Sequence, residues 1–194
     1  MLHIVDDEDA IRDSLSWLAR SRGIAACSHA TARAFLEQAG TSFDADGDCV
    51  LLDVRMPDIN GVAVFDQLSA RGLTARLPVI FLTGHGDVPM AVDTLKRGAF
   101  DFFEKPFNDN QLMDRVEEAL AGSRRAGAGA AVQARLATLS VREREVLDLI
   151  LAGKMNKVIA DELGISMRTV EVHRSHVFDK MQVKTAVELA GLLK

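Results

Sequence analysis

Short apolar runs alternate with amphipathic segments through residues 1–120. The apolar runs predict β-strands at Leu2–Val5, Ile24–Cys27, Cys49–Leu52, Val79–Leu82 and Phe100–Phe103. Apolar residues at helical spacing predict helices between the strands, at about Asp9–Arg22, Thr31–Ala39, Gly61–Arg71, Pro89–Arg97 and Asn108–Leu120. Because successive parallel strands require a crossover, usually a helix, this alternation predicts a doubly wound α/β domain with a five-stranded parallel sheet.

From Leu136 onward the apolar residues keep helical spacing, in four segments. Ser140 and Glu143 form a capping-box pattern ahead of the first segment. The second and third segments are joined by the turn Gly164–Ser166, whose serine is placed to cap a helix that ends near Met181. Two helices joined by a short turn containing glycine predict a small all-α, four-helix domain of the helix-turn-helix type.

Charge is distributed unevenly between these two parts. The formal net charge is −5, of which residues 1–118 carry −9 and residues 119–194 carry +4. Residues 121–131 contain no large apolar side chain, which is typical of a linker, although their alanines also suit an extension of the preceding helix. We predict a domain at 1–120, a linker at 121–135 and a second domain at 136–194.

Composition excludes several classes of protein. No apolar run approaches the ~20 residues of a membrane-spanning helix, and the first residues do not form a secretion signal. Cys27 and Cys49 cannot make a disulfide scaffold and are expected to be small buried apolar residues. Trp17, beside Leu18 on the first helix, is expected to pack wholly or partly in the core. The composition predicts a soluble cytoplasmic protein with no membrane partner.

Polar residues mark the carboxyl ends of the predicted strands, where ligands of parallel sheets bind. Strand one ends in Asp6 and Asp7, strand three in Asp53, strand four in Thr83 and strand five in Lys105. No GxGxxG turn or P-loop is present, which argues against a dinucleotide or an ATP site of those types. Clustered carboxylates repel unless a cation lies among them, and oxygen ligands favour Mg²⁺. A lysine and a hydroxyl facing them suit a phosphoryl group.

Each of these residues also has a purely structural interpretation. The acidic run that begins at Asp6 suits the capping of the first helix, and Asp53 and Thr83 suit turns. Lys105 and Pro106 suit a tight turn. The placement of all of them at one edge of the sheet favours a common site.

Four segments resemble the receiver domain of bacterial two-component response regulators, namely Ile4–Asp7, Leu52–Gly61, Leu82–Gly86 and Glu104–Phe107. The stretch Thr83–Val92 resembles the FixJ type. The resemblance implies a flavodoxin-like receiver in which Asp53 accepts a phosphoryl group from a sensor histidine kinase. It also implies that Mg²⁺ is bound by Asp7, Asp53 and the backbone carbonyl of Arg55, with Asp6 assisting through water. The resemblance further implies that Thr83 donates a hydrogen bond to the phosphoryl group and that Lys105 pairs with this group. Phe102 matches the aromatic switch position of the family, and because it has no hydroxyl it would work by packing alone. We expect a cis peptide bond between Lys105 and Pro106.

The third helix of the second domain is predicted to bury one face and expose the other. Val170, Val177 and Met181 share the face that is expected to be buried. The opposite face, free to enter a major groove, carries Arg168, Glu171, Val172, Ser175 and Asp179. Flanking positions near the phosphates belong to Thr169, His176 and Lys180, while Arg174 projects nearer the buried side. An all-helical interaction domain is the alternative.

Three segments resemble the LuxR/FixJ-type DNA-binding domain, namely Leu139–Leu147, Asn156–Ala160 and Thr169–Arg174. The resemblance implies that bases face Glu171, Val172 and Ser175, and that phosphates contact Asn156, Lys157, Thr169 and Lys180. Some relatives have lysine at the positions of Glu171 and Ser175, so the base preference is left open.

The sequence therefore predicts a DNA-binding response regulator that is controlled by phosphorylation and activates transcription, with RNA polymerase as a further partner. It is expected to have no enzymatic activity beyond its own phosphoryl transfer and autodephosphorylation. Phosphorylation is expected to create a homodimer through Met90, Val92, Lys96, Arg97 and Asp101. The alternatives are an RNA-binding antiterminator and a Mg²⁺-dependent phosphatase.

Overall fold

A computed structural model describes residues 1–84 and 88–193 of the chain, in two compact units, Met1–Gly127 and Ala128–Lys194. The strands of the first unit are β1 (Leu2–Val5), β2 (Ala26–His29), β3 (Cys49–Asp53), β4 (Val79–Thr83) and β5 (Asp101–Glu104). All neighbours are parallel, in the order β2-β1-β3-β4-β5. This topology confirms the predicted doubly wound, five-stranded α/β fold.

Helices cover both faces of this sheet. They are α1 (Asp9–Ser21), α2 (Ala32–Gln38), α3 (Gly61–Ala70), α4 (Val88–Lys96) and the first part of α5 (Asp109–Ala137). Alternate residues of the central strands point to opposite sides, so that Val50 and Leu52 join one apolar core while Leu51 joins the other. The three central strands are therefore buried on both faces, which explains their nearly unbroken apolar sequences.

The described residues of the second unit form four further helices and the end of α5. The further helices are α6 (Val141–Leu151), α7 (Asn156–Leu163), α8 (Met167–Met181) and α9 (Ala186–Leu192). Ser140 and Glu143 form the predicted capping box, and Ser166 caps α8 through the backbone N–H of Thr169. Gly164 ends α7 in the left-handed region at φ 63°, which suits a residue without a side chain. The predicted helix-turn-helix is therefore confirmed.

Several sequence expectations need correction. Trp17 is 70% exposed and not part of the core. The buried residues of α1 are Leu15 and Ala19. Trp17 is two residues from each of them, which places it about 200° around the helix, on the side that faces solvent. β2 begins at Ala26, two residues later than expected, because this edge strand exposes Ala26 and Ser28 and its apolar pattern is weak.

Residues 121–135 are helical and belong to α5. Alanine is the strongest helix former, so this stretch continues the helix although residues 121–131 lack large apolar side chains. The division at Gly127 falls within it. Its role as a linker stays a prediction. No helix in the described ranges is long and apolar enough to cross a membrane.

Candidate functional site

Three charged side chains meet at the carboxyl edge of the sheet in the first unit. The ammonium of Lys105 lies 2.7 Å from Oδ1 of Asp53 and 2.8 Å from Oδ2 of Asp6. Both carboxylates are almost fully buried, with residue exposures of 6% for Asp53 and 1% for Asp6. The structure thus brings together residues from three different strand ends, as the sequence predicted.

The backbone around Asp53 holds its side chain in place. Oδ2 of Asp53 accepts a hydrogen bond from the backbone N–H of Arg55 at 2.7 Å. The start of α3 packs directly behind the strand end, because a Cβ at Gly61 would lie 2.3 Å from the backbone oxygen of Asp53. Glycine is therefore the residue that allows this helix to approach the site so closely.

Asp6 is held by the loop between β1 and α1. Its Oδ1 accepts the backbone N–H of Glu8 at 2.9 Å, and its backbone oxygen accepts Nη1 of Arg12 at 2.7 Å. Arg12, which also pairs with Asp9, closes this loop and was missed by the sequence interpretation, although its i,i+3 spacing from Asp9 was visible. Glu8 stands at the N-cap of α1 without a side-chain cap hydrogen bond, and Asp7 is exposed.

Lys105 follows β5 and precedes a cis peptide bond to Pro106, as expected. Its backbone N–H donates to the backbone oxygen of Thr83 at 2.7 Å, which places the buried Thr83 next to it. Phe102 is partly buried against the core, with its ring centroid 6.3 Å from that of Phe81. His85, Gly86 and Asp87, which belong to the FixJ-like stretch, lie outside the described residues.

The electrostatics of this cluster are unbalanced. Burial raises the pKa of Asp53, and Asp6 raises it further, although Lys105 acts in the opposite direction. Burial alone would lower the pKa of Lys105, but the hydrogen bonds that its ammonium donates to Asp53 and Asp6 outweigh this effect and raise it. Two buried carboxylates share one ammonium, so an excess negative charge is left that a cation would neutralise.

The oxygen donors at this edge suit a hard cation. Among the described residues, no group of three His, Cys, Asp or Glu side chains is already arranged to hold a metal ion. Mg²⁺ usually takes one or two protein carboxylates and completes its shell with water, so Asp53, with Asp6 beside it, provides donors of the right kind.

The surface predicted for dimerisation lies on α4 and β5. Val92 is 45% exposed and Lys96 is exposed, whereas Met90 packs partly against the core. Arg97 pairs with Asp66 and with Asp93, the latter at 3.1 Å, and Asp101 accepts Nε of Arg115 at 2.5 Å. Val92 and Lys96 are therefore exposed to solvent, while Arg97 and Asp101 already have partners within the chain.

In the second unit, α8 buries one face and exposes the other as predicted. Val170, Val177 and Met181 are buried in the core of the unit. The exposed side chains of this helix include Arg168, Glu171, Val172, Ser175, His176, Asp179 and Lys180, and Lys157 of α7 is exposed as well. Thr169, Arg174 and Asn156 are half-buried, and the guanidinium of Arg174 stacks on Phe178, 5.4 Å from the ring centre. Lys180 also binds Glu143, a contact that the sequence did not indicate.

Comparisons with known proteins agree with this architecture. Residues 2–117 match the family described as the response regulator receiver domain, and residues 137–193 match the bacterial regulatory proteins of the luxR family. The chain is 51% identical to the C4-dicarboxylate transport transcriptional regulatory protein DctR of Rhodobacter capsulatus, over 98% of each chain. It is 46% identical to the transcriptional regulatory protein FixJ of Azorhizobium caulinodans, over 98% of this chain and 90% of FixJ.

Solved structures are similar as well. The response regulator StyR matches with 36% identity and a TM-score of 0.71, over 99% of this chain and 96% of StyR. Full-length FixJ from B. japonicum matches with 41% identity and a TM-score of 0.57, over 98% and 94% of the two chains. The chain belongs to the family of response regulators that combine a receiver domain with a LuxR-type DNA-binding domain. It is a transcriptional regulator of a two-component system.

Proposed function

We propose that Asp53 accepts a phosphoryl group from a phosphohistidine of a partner sensor kinase, and that this event controls DNA binding by the second unit. The observation that carries the proposal is the position of Lys105 between two buried carboxylates at the carboxyl edge of the sheet. Because the protein would bind DNA, we expect it to act in the cytoplasm, where the bacterial chromosome lies.

The proposed transfer is a single displacement at phosphorus. A carboxylate oxygen of Asp53 forms the new P–O bond, the P–N bond to the kinase histidine breaks, and the imidazole keeps the electron pair. The ammonium of Lys105, 2.7 Å from Asp53, offsets negative charge on the phosphoryl oxygens. The hydroxyl of Thr83 donates a hydrogen bond to one of those oxygens.

Mg²⁺ is the cofactor that suits the donor set. Asp6, Asp7, Asp53 and the backbone carbonyl of Arg55 would hold it, with Asp6 acting largely through water. When bound, the ion supplies charge neutralisation around the transferring phosphoryl group. The excess negative charge of the two buried carboxylates over Lys105 supports this assignment.

Phosphorylation would be read out through Thr83 and Phe102, which move toward the phosphoryl group and reshape the surface of α4 and β5. The residues proposed to form a two-fold contact there are Met90, Val92, Lys96, Arg97 and Asp101. Because Arg97 and Asp101 have partners within the chain, Val92 and Lys96 are the stronger candidates for new contacts. A dimer would present two copies of α8 to two half-sites.

In that complex the exposed face of α8 would lie in the major groove. Arg168, Glu171, Val172 and Ser175 would face bases, with Arg174 and His176 at the flanks, and Asn156, Lys157 and Thr169 would contact phosphates. Contact with RNA polymerase would then activate transcription.

The test is phosphorylation with acetyl phosphate and magnesium, followed by intact mass and sedimentation. The chain should gain one phosphoryl group and change from a monomer to a dimer. Asp53→Ala should abolish both changes, whereas the control Asp13→Ala, at an exposed position on α1, should behave as the unchanged protein. Val92→Asp should keep the phosphoryl group and lose the dimer.

Several outcomes would contradict the proposal. Full phosphorylation of Asp53→Ala would exclude Asp53 as the acceptor. Multiple turnovers of p-nitrophenyl phosphate would favour the phosphatase alternative, and tighter binding to structured RNA than to duplex DNA would favour the antiterminator.

A further inference from the structure

A buried carboxylate connects two helices of the second unit. Glu143 lies in the first turn of α6 and is 4% exposed. Its Oε2 accepts the backbone N–H of Ser140 at 2.7 Å and the ammonium of Lys180 at 2.6 Å, and its Oε1 lies 3.6 Å from Nδ1 of His176. A single side chain therefore caps α6 and also binds two residues of α8.

Lys180 is held by a second acceptor from the same region. Its ammonium donates to the backbone oxygen of Thr138 at 3.2 Å, in the turn before α6. Moving this ammonium to a DNA phosphate would break both contacts and would leave the carboxylate of Glu143 buried without its charged partner. Such an uncompensated buried charge costs several times more than an exposed ion pair contributes.

The hydrogen bond between Glu143 and Lys180 is a directional contact in an otherwise apolar interface between α6 and α8. Val170, Val177 and Met181 pack α8 into the core, and apolar contacts of this kind are non-directional. A charged hydrogen bond has a narrow range of distance and angle. The Glu143–Lys180 pair therefore sets the rotation of α8 about its own axis, which decides how Glu171 and Ser175 are presented.

We propose that Glu143 is a positioning residue for DNA recognition, and that Lys180 is its anchor on α8 and not a phosphate contact. The inference rests on the proposed entry of α8 into the major groove, and it replaces the phosphate role that the sequence implied for Lys180. Lys157, which is exposed on α7, keeps its proposed phosphate contact.

The test compares Lys180→Met with Lys157→Ala in the full chain. Two duplexes serve as probes, one selected from random-sequence DNA by the unchanged protein and one scrambled version of it. Affinity for both is measured across a range of salt concentrations. Lys157→Ala should weaken both duplexes alike and reduce the salt slope by about 1. Lys180→Met should weaken the selected duplex about tenfold, leave the scrambled duplex within about twofold, and leave the salt slope unchanged.

Two further variants separate positioning from folding. Lys180→Arg keeps the charge and should restore most of the discrimination between the duplexes. Glu143→Gln combined with Lys180→Met leaves no buried charge, so it should fold even if Lys180→Met does not, and it should still discriminate poorly. The loss of discrimination in the double variant should be close to that in either single variant, because each single substitution already removes the same Glu143–Lys180 contact.

Three results would overturn the inference. A salt slope that falls by about 1 in Lys180→Met would make Lys180 a phosphate contact. Unchanged discrimination in the folded double variant, or in Lys180→Met itself, would mean that the pair does not position α8. If the unchanged protein selects no duplex at all, the proposed DNA reading by α8 fails, and that outcome is distinct from the other two.

Discussion

Each unit brings a lysine to buried carboxylates, but the charges balance in only one of them. In the first unit Lys105 is shared by Asp6 and Asp53, so two carboxylates face one ammonium. In the second unit Lys180 pairs with the carboxylate of Glu143 alone. The first cluster keeps an excess negative charge, and the second is a neutral pair.

The pKa values of the two carboxylates differ in the corresponding direction. Burial raises the pKa of Asp53, and the hydrogen bond from Lys105 only partly offsets that effect. The hydrogen bond from Lys180 is the main cause that lowers the pKa of Glu143, to about 2. An unbalanced cluster at a sheet edge suits the binding of a cation and a phosphoryl group, whereas a balanced pair between helices suits the maintenance of a fixed geometry.

Acidification should produce the largest difference between the two units in their free energies of unfolding. His29 is buried against His3 and Phe35, and burial, aided by His3, lowers its pKa to about 4. His29 is thus neutral in the folded state while it takes up a proton in the unfolded state. The first unit should therefore lose on the order of 3 kcal/mol as the pH falls from about 6.5 to about 4.

In the second unit, the stability that depends on Glu143 should be lost at a lower pH. A lowered acid pKa contributes stability that is fully present above the ordinary value of 4.5 and is lost as the pH falls toward about 2. Urea unfolding, followed through amide NMR signals of each unit from about pH 7 to about pH 2, covers both pH ranges. His29→Gln should flatten the pH dependence of the first unit, and the control His176→Gln should not. Parallel losses in the two units would contradict the expectation.

Neutralising Glu143 should have the next largest effect. Glu143→Gln removes the charge from a buried hydrogen bond, which should lower the free energy of unfolding of the second unit by about 1–2 kcal/mol. Glu145→Gln on the same helix is the matched control, because Glu145 is only half-buried and pairs with Arg142, three residues earlier on the helix surface, at 2.7 Å. That control should change stability by less than about 0.5 kcal/mol in the same urea titration. Equal losses would show that the contact with Lys180 has no special weight.

The central strands and the sheet-edge cluster could be predicted from the sequence because their constraints are local. β1, β3 and β4 begin where their apolar runs begin, since both faces of these strands are buried. Asp53 is the last residue of β3 and Lys105 directly follows β5, so the parallel topology alone brings them to one edge.

Other features depend on packing that the sequence does not specify. Trp17 carries an apolar side chain, but its angular position on α1 directs it to solvent. The middle of α5, residues 121–131, lacks the large apolar residues that would mark it as part of a helix. The sequence indicates Glu143 only as a helix cap, because its contact with Lys180 depends on how α6 packs against α8.

Neutralising Asp53 should have the smallest effect, with a sign opposite to that for Glu143. Asp53→Asn removes the repulsion from Asp6 and leaves a balanced pair between Asp6 and Lys105, at the loss of one of the hydrogen bonds to Lys105 and Arg55. The free energy of unfolding of the first unit, without divalent cations, should therefore rise by up to about 1 kcal/mol. Asp13→Asn, at an exposed position on α1, is the control and should leave stability unchanged. Added magnesium should stabilise the unchanged protein more than Asp53→Asn, because the variant has lost a carboxylate ligand. A destabilisation of Asp53→Asn as large as that of Glu143→Gln would mean that the sheet-edge cluster is a structural ion pair, like the one between α6 and α8.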